Sequence, residues 1–283
     1  MMYPRAEVSA KRIEEVFKLE PLIKNKPIES DSDEQVSIEF DHVTFVYPDG
    51  EEPVLQDISF KVSKGQMIAF IGSTGSGKST LVNLIPRFYD VSSGSIKING
   101  KDIRDYDILE LRDKLGVIPQ KAVLFSGSIA DNIRFGKKDA SDEEVEYAAK
   151  VAQAYPFIMK KEHGFDEEIS EGATNVSGGQ KQRLSIARAL VRKAQIYIFD
   201  DSFSALDFKT DAVLRKELKK EMKDSIMMVV AQRISSIMEA DQIVVLNDGK
   251  VVGHGTHLQL LKECQIYHEI ATSQLSEEEL AYE

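Results

Sequence analysis

Apolar residues fall into two rhythms along the chain. Near the start Ala6, Ala10, Ile13 and Phe17 recur at i, i+4, i+7 and i+11, with Val16 beside them, which predicts an amphipathic helix. Pro21 should stop it. Residues 24–35 are polar, carry Pro27 and an acidic run, and read as a linker. Beyond the linker the period becomes two. Val36-Ser37-Ile38-Glu39-Phe40 and Ile58-Ser59-Phe60-Lys61-Val62 alternate apolar with polar, as antiparallel strands with one wet face do. Ser95-Ile96-Lys97-Ile98, followed by Asn99-Gly100, adds a strand and a turn.

Further along, short unbroken apolar blocks replace the alternation. Met67-Ile68-Ala69-Phe70-Ile71, Leu115 to Gln120, Ile196 to Phe199, Ile226 to Val230 and Ile243 to Leu246 read as buried strands, and Lys250 to Val252 begins an edge strand. Helical signals lie between them. They run from Leu81, from about Ser128 to Ala194, from Lys209 to Met222, and briefly from Ile234 to Met238. Ala140-Ser141-Asp142-Glu143-Glu144 carries an N-cap with first-turn acids. The alternation predicts an α/β fold: a mostly parallel core sheet with helices on both faces, and an antiparallel β-subdomain ahead of it. The tail, Ser276 to Glu283, is acidic and expected to fray.

Composition narrows the chemistry. The chain has 283 residues, of which 42% are hydrophobic, so a substantial core can form. Thirty-six basic against 47 acidic residues leave a net charge of −11, which argues against a nucleic-acid partner. Cys264 is the only cysteine, so no intrachain disulfide is possible, which suits a reducing cytosol. The longest apolar run, Ile226 to Ala231, is strand-sized and far short of a membrane span, so the chain itself is expected to be soluble. The five histidines are scattered without metal-ligand spacing.

One segment carries explicit chemistry. Gly72-Ser73-Thr74-Gly75-Ser76-Gly77-Lys78-Ser79-Thr80 fits the phosphate-binding pattern G-x-x-x-x-G-K-[ST], between a predicted strand and a predicted helix. Glycines allow successive backbone N–H groups to face phosphate oxygens. Lys78 can reach the β- and γ-phosphates, and the Ser79 hydroxyl can ligate Mg²⁺. Asp200 ends the apolar strand Ile196-Tyr197-Ile198-Phe199, where such folds hold the metal. The expected ligands are therefore a nucleoside triphosphate and Mg²⁺.

Val176-Ser177-Gly178-Gly179-Gln180 closely resembles the signature motif of ATP-binding cassette (ABC) ATPases, about a hundred residues after the phosphate loop. The resemblance extends over nearly the whole chain. It implies that Tyr47, in Phe45-Val46-Tyr47-Pro48, stacks on adenine. Gln120 is similar to the glutamine that touches Mg²⁺ or water and links to the transmembrane partner. Glu171-Gly172 resembles the segment that meets intracellular loops of exporters, and Ser204-Ala205-Leu206-Asp207 the loop that crosses a dimer interface. Ser177, Gly178, Gly179 and Gln180 would then face the nucleotide of a second ABC domain, in a head-to-tail dimer with ATP between the halves. Residues 6–13 look like the connection from an exporter's last membrane helix, which implies a cytosolic piece of a longer membrane protein, placed at the cytoplasmic face of the cell membrane.

Two residues depart from the family pattern. The position after the strand aspartate normally holds glutamate as general base; here it is Asp201, whose carboxylate should sit roughly 1.5 Å back. Proton abstraction needs hydrogen-bond reach, and a misplacement of about 1 Å can cost on the order of a hundredfold in rate. In Val229-Val230-Ala231-Gln232-Arg233, Gln232 stands where the family has histidine. A glutamine can donate a hydrogen bond but cannot carry charge. Asp201, Gln232 and Gln120 are the expected catalytic positions, and the pair of departures resembles the degenerate half of a heterodimeric exporter.

The expected organisation is a helical extension over 1–23, a linker over 24–35, an ABC ATP-binding domain over 36–275 with a helical subdomain at about 121–192, and an acidic tail over 276–283. The function it implies is Mg·ATP-driven export, with slow hydrolysis at this chain's own site. A regulatory ATP clamp and an ABC ATPase outside transport remain the alternatives. The latter would call for a coiled-coil insertion or a tandem cassette, and the sequence has neither.

Overall fold

The computed structural model describes residues 3–18, 23, 25 and 36–276. In chain order the strands are β1 (Ser37–Phe45), β2 (Leu55–Ser63), β3 (Met67–Gly72), β4 (Ser93–Ile98), β5 (Lys101–Asp102) and β6 (Leu115–Ile118). They continue with β7 (Gly127–Ser128), β8 (Glu168–Ile169), β9 (Ile196–Asp200), β10 (Ile226–Val230), β11 (Gln242–Asn247) and β12 (Lys250–Gly255). The helices are α1 (Tyr3–Phe17), α2 (Lys78–Leu84), α3 (Ile108–Asp113), α4 (Ile129–Arg134), α5 (Asp142–Val151) and α6 (Tyr155–Ile158), then α7 (Gly178–Leu190), α8 (Phe208–Glu221), α9 (His257–Glu263) and α10 (Gln265–Gln274).

The period-two segments form one antiparallel sheet, ordered β2-β1-β4-β5. The apolar blocks form a second sheet, ordered β12-β11-β3-β10-β9-β6, in which every neighbouring pair is parallel except β11 with β12. Its central strands are buried on both faces, and their alternation sorts residues into two cores. Ile68, Phe70, Ile196, Ile198, Met228 and Val230 join α2 and the inner face of the antiparallel sheet. Ala69, Ile71, Tyr197, Phe199 and Val229 join the core built by α5, α7, α8 and α10. Phe60 ties the sheets together, stacked on Phe40 at 4.5 Å and tilted against Phe70 at 5.4 Å.

Several expectations change. The stripe on α1 finds no packing partner among the described residues: Ala6, Ala10, Ile13 and Phe17 are all exposed, Phe17 to 85%. Pro21 and nearly all of the expected linker lie outside the described residues. Leu115–Gln120 is not a fully buried strand; β6 ends at Ile118 and forms a sheet edge, which leaves Val117 37% exposed. The long helical stretch before Ala194 is interrupted by β8, paired with β7, because Glu168-Ile169 closes a small ribbon. Cys264 is buried at the break between α9 and α10. The cap read at Ser141 is a full capping box with Glu144.

Candidate nucleotide-binding site

Four strand ends and one loop build the site. β3 ends at Gly72, whose backbone (φ +152°) lies so close to β11 that a Cβ would stand 2.0 Å from the Leu246 carbonyl oxygen. Gly77 (φ +96°) precedes α2, and a Cβ there would meet Leu55 Cδ2 at 2.7 Å. Only glycine fits either place. No side chain caps the start of α2. Lys78 folds back over the loop, with Nζ donating to the carbonyl oxygens of Gly72 (2.9 Å) and Ser73 (2.7 Å) and to Ser76 Oγ (3.2 Å). Half-burial lowers the Lys78 pKa, and the charges of Asp201 and Asp200 work against that shift.

β9 and β10 supply the opposite wall. Asp200 ends β9, and its Oδ1 accepts from Ser79 Oγ at 3.0 Å. Paired hydroxyl and carboxylate oxygens are the donor set a hard divalent cation takes. Asp201 follows in the left-handed region, at φ 47°. Its Oδ2 accepts from Gln232 Nε2 at 2.8 Å and from Gln120 Nε2 at 3.1 Å, so both glutamines converge on one carboxylate oxygen. Burial raises both aspartate pKa values; hydrogen bonds from Ser79 to Asp200 and from Gln120 to Asp201 oppose it.

These groups share a cleft of about 250 Å³ lined by Gly72, Thr74, Gly75, Gly77, Lys78, Ser79, Thr80, Gln120, Asp200, Asp201 and Gln232. Tyr47 stands outside this lining but is joined to it, its hydroxyl 3.0 Å from Thr80 Oγ1 and its ring edge-on to Tyr89 at 5.2 Å. A larger cavity of about 440 Å³ opens at the other end of β3, around Met67, Met222 and Met227, and holds none of the motif residues.

The signature segment is not in the cleft. Ser177 caps α7 in a box with Gln180: Ser177 Oγ accepts from the Gln180 N–H, and Gln180 Oε1 from the Ser177 N–H. At the helix start Gly178 is exposed and Gly179 half-buried. Asp207 also lies apart, its carboxylate capping α8 through the N–H and hydroxyl of Thr210 at 3.0 and 2.7 Å. The structure adds contacts that no motif described. Ser204 Oγ donates to the Asp201 carbonyl oxygen, and buried Gln182 donates to the carbonyl oxygen of Pro119, beside Gln120. Ser204 was marked only as part of the interface-loop string, and the only signal for Gln182 in sequence was nearness to the signature.

Known proteins are similar to this chain in sequence and fold. The family model described as ABC transporter matches residues 55–204. An uncharacterized ABC transporter ATP-binding protein of Mycobacterium tuberculosis is 44% identical over 276 residues, 96% of this chain and 47% of that protein. A Staphylococcus aureus protein named "Putative multidrug export ATP-binding/permease protein" is 43% identical over 262 residues, 93% of this chain and 45% of its own length. The solved structure of a bacterial Atm1-family ABC exporter with ATP bound matches with a TM-score of 0.92 at 34% identity, over 97% of this chain and 48% of that one. The chain thus spans about half the length of the curated relatives it matches. With the phosphate loop, strand aspartate and signature in place on a matching fold, the chain belongs to the ABC transporter family and is an ATP-binding domain of that family.

Proposed function

We propose that this chain is the ATP-binding module of an exporter, that it binds Mg·ATP in the cleft and closes head-to-tail on a second, non-identical module, and that its own site hydrolyses slowly. The carrying observation is Asp201, whose Oδ2 is held by the amides of both Gln120 and Gln232.

The residues fit Mg·ATP. Lys78 can exchange the carbonyl oxygens of its own loop for phosphate oxygens, a stronger, charge-assisted pairing. Ser79 and Asp200 would hold Mg²⁺, which neutralises phosphate charge. Tyr47, half-buried and anchored to Thr80, offers a ring for the base. The proton-accepting end is weaker. Burial makes Asp201 a better base than a free carboxylate and the two amides on Oδ2 orient it, yet its short side chain holds the carboxylate back from water. Gln232 donates without positive charge and stabilises developing negative charge less than an imidazolium would.

Two surfaces support the partners. The cleft lacks any cover from this chain's signature, while Gly178 at the start of α7 is exposed and its N–H lies outside the capping box. That geometry suits mutual cover by two modules. Near Gln120 a separate apolar patch lies open, with Val123 57%, Phe125 46% and Phe135 62% exposed and Arg188 over both rings. A patch of this kind suits docking of transmembrane segments, with the module then at the cytoplasmic face of the membrane.

A regulatory clamp with almost no turnover is the limiting form of the same reading. Single-turnover hydrolysis by the purified chain, with enzyme in excess, tests it. The expected result is tight Mg·ATP binding with slow cleavage; cleavage as fast as that of an Asp201→Glu, Gln232→His variant sinks the slow-site reading.

A further inference from the structure

The segment that presents Gln232 is held from behind by one side chain. Gln274, the last residue of α10, donates through Nε2 to the Gln232 carbonyl oxygen at 2.9 Å, and its Oε1 accepts from the Ile234 N–H at 2.9 Å. A single primary amide thereby pairs with the main chain on both sides of Arg233, using one donor and one acceptor at once. Before the brace the Ala231 N–H bonds to the Phe70 carbonyl oxygen, and after it the Arg233 carbonyl oxygen accepts from the Ser236 N–H and the Ser235 carbonyl oxygen from Arg215. The brace itself stands on firm ground. Tyr267 and Ala271 of α10 are fully buried in the larger core, and the Tyr267 hydroxyl sits 2.7 Å from His257 Nδ1 on α9. From the braced backbone the Gln232 side chain turns the other way, to Asp201 at 2.8 Å.

We infer that Gln274 is a positioning residue for ATP turnover: it sets the backbone from which Gln232 reaches the Asp201 carboxylate, and so joins the C-terminal helix to the hydrolytic end of the site. This rests on the role proposed above for Gln232. Removing the brace leaves Lys78, Ser79 and Asp200 untouched, so it separates grip from cleavage. A small loss of alignment is enough to slow cleavage, because reacting groups tolerate little displacement.

The test uses the full chain with Gln274→Met, which keeps side-chain length and packing but makes neither bond, and with Gln274→Ala as the second variant. Both should lower the single-turnover rate by about five- to tenfold, with calorimetric affinity for Mg·ATP within about twofold of the parent. Amide exchange at Ile234 should accelerate at least about tenfold while β10 amides stay protected. In a Gln232→Ala background, Gln274→Met should cause no further loss, because the two act as one unit. If Gln232→Ala slows cleavage and neither Gln274 variant does, the inference fails and the role of Gln232 stands. Equal losses in both backgrounds, or loss of ATP binding in both Gln274 variants, also overturn it. Parent-like cleavage by Gln232→Ala removes the role of Gln232 and this inference with it.

Discussion

Gln182, on the helix that begins with the signature, donates its side-chain amide to the Pro119 carbonyl oxygen at 3.1 Å, directly before Gln120. The signature segment and the glutamine that touches Asp201 are thus tied through one hydrogen bond. Gln182 is 2% exposed, so water cannot replace the bond freely. Gln182→Leu should lower unfolding free energy by about 1–3 kcal/mol, the range for an acceptor left without its buried donor. Urea unfolding checks this; a midpoint unchanged from the parent rules the tie out as a structural link.

Lys78 is the group on which nucleotide affinity should depend most. Its three contacts are all to its own loop. Lys78→Ala should therefore weaken ATP binding by about ten- to a hundredfold, about 1.4–2.8 kcal/mol, with little harm to the fold. Calorimetry with Mg·ATP reads the first quantity and thermal unfolding the second. An undiminished affinity would remove the loop from the site.

At Asp201 chemistry and backbone pull apart. Asp201→Glu brings a carboxylate nearer to water, and with Gln232→His it should raise kcat by on the order of tenfold. Residue 201 adopts φ 47°, a conformation that aspartate tolerates better than most residues do. Asp201→Glu should therefore also lower the midpoint of thermal unfolding by a few degrees, about 0.5–1 kcal/mol for a chain of this size. Faster turnover with no stability loss would show that aspartate was not favoured by the backbone.

Asp200, proposed above to hold Mg²⁺, also makes stability depend on pH. Burial raises its pKa, so between the unfolded value and the raised one the folded state holds more protons, and stability falls as pH rises through that window. Glu144 works in the opposite direction. Lys193 and Lys137 hold it down at about 2 from an ordinary 4.5, so its contribution is present above 4.5 and is lost as pH falls toward 2. Asp200→Asn should leave unfolding at pH 7 without nucleotide unchanged or shifted upward, and should abolish the part of ATP affinity that requires Mg²⁺. Calorimetry with and without a chelator decides it; a persistent Mg²⁺ dependence would place the metal on other residues.

What could be read without coordinates was whatever depends on short stretches of chain. The period-two strands, the unbroken apolar strands, the Ser141 cap and the phosphate loop are local patterns, because strand faces, helix caps and phosphate-binding turns are set by neighbours along the backbone. The departures at Asp201 and Gln232 were visible for the same reason, each standing inside a recognisable string. Tertiary structure alone decided that Gln120 and Gln232, more than a hundred positions apart, meet on one oxygen of Asp201. It alone placed Gln182 under Pro119 and Gln274 behind Gln232, and it left the α1 stripe bare. Such contacts join segments remote in sequence, and a glutamine leaves no periodic or compositional trace of the carbonyl it will find, so only the folded chain could reveal them.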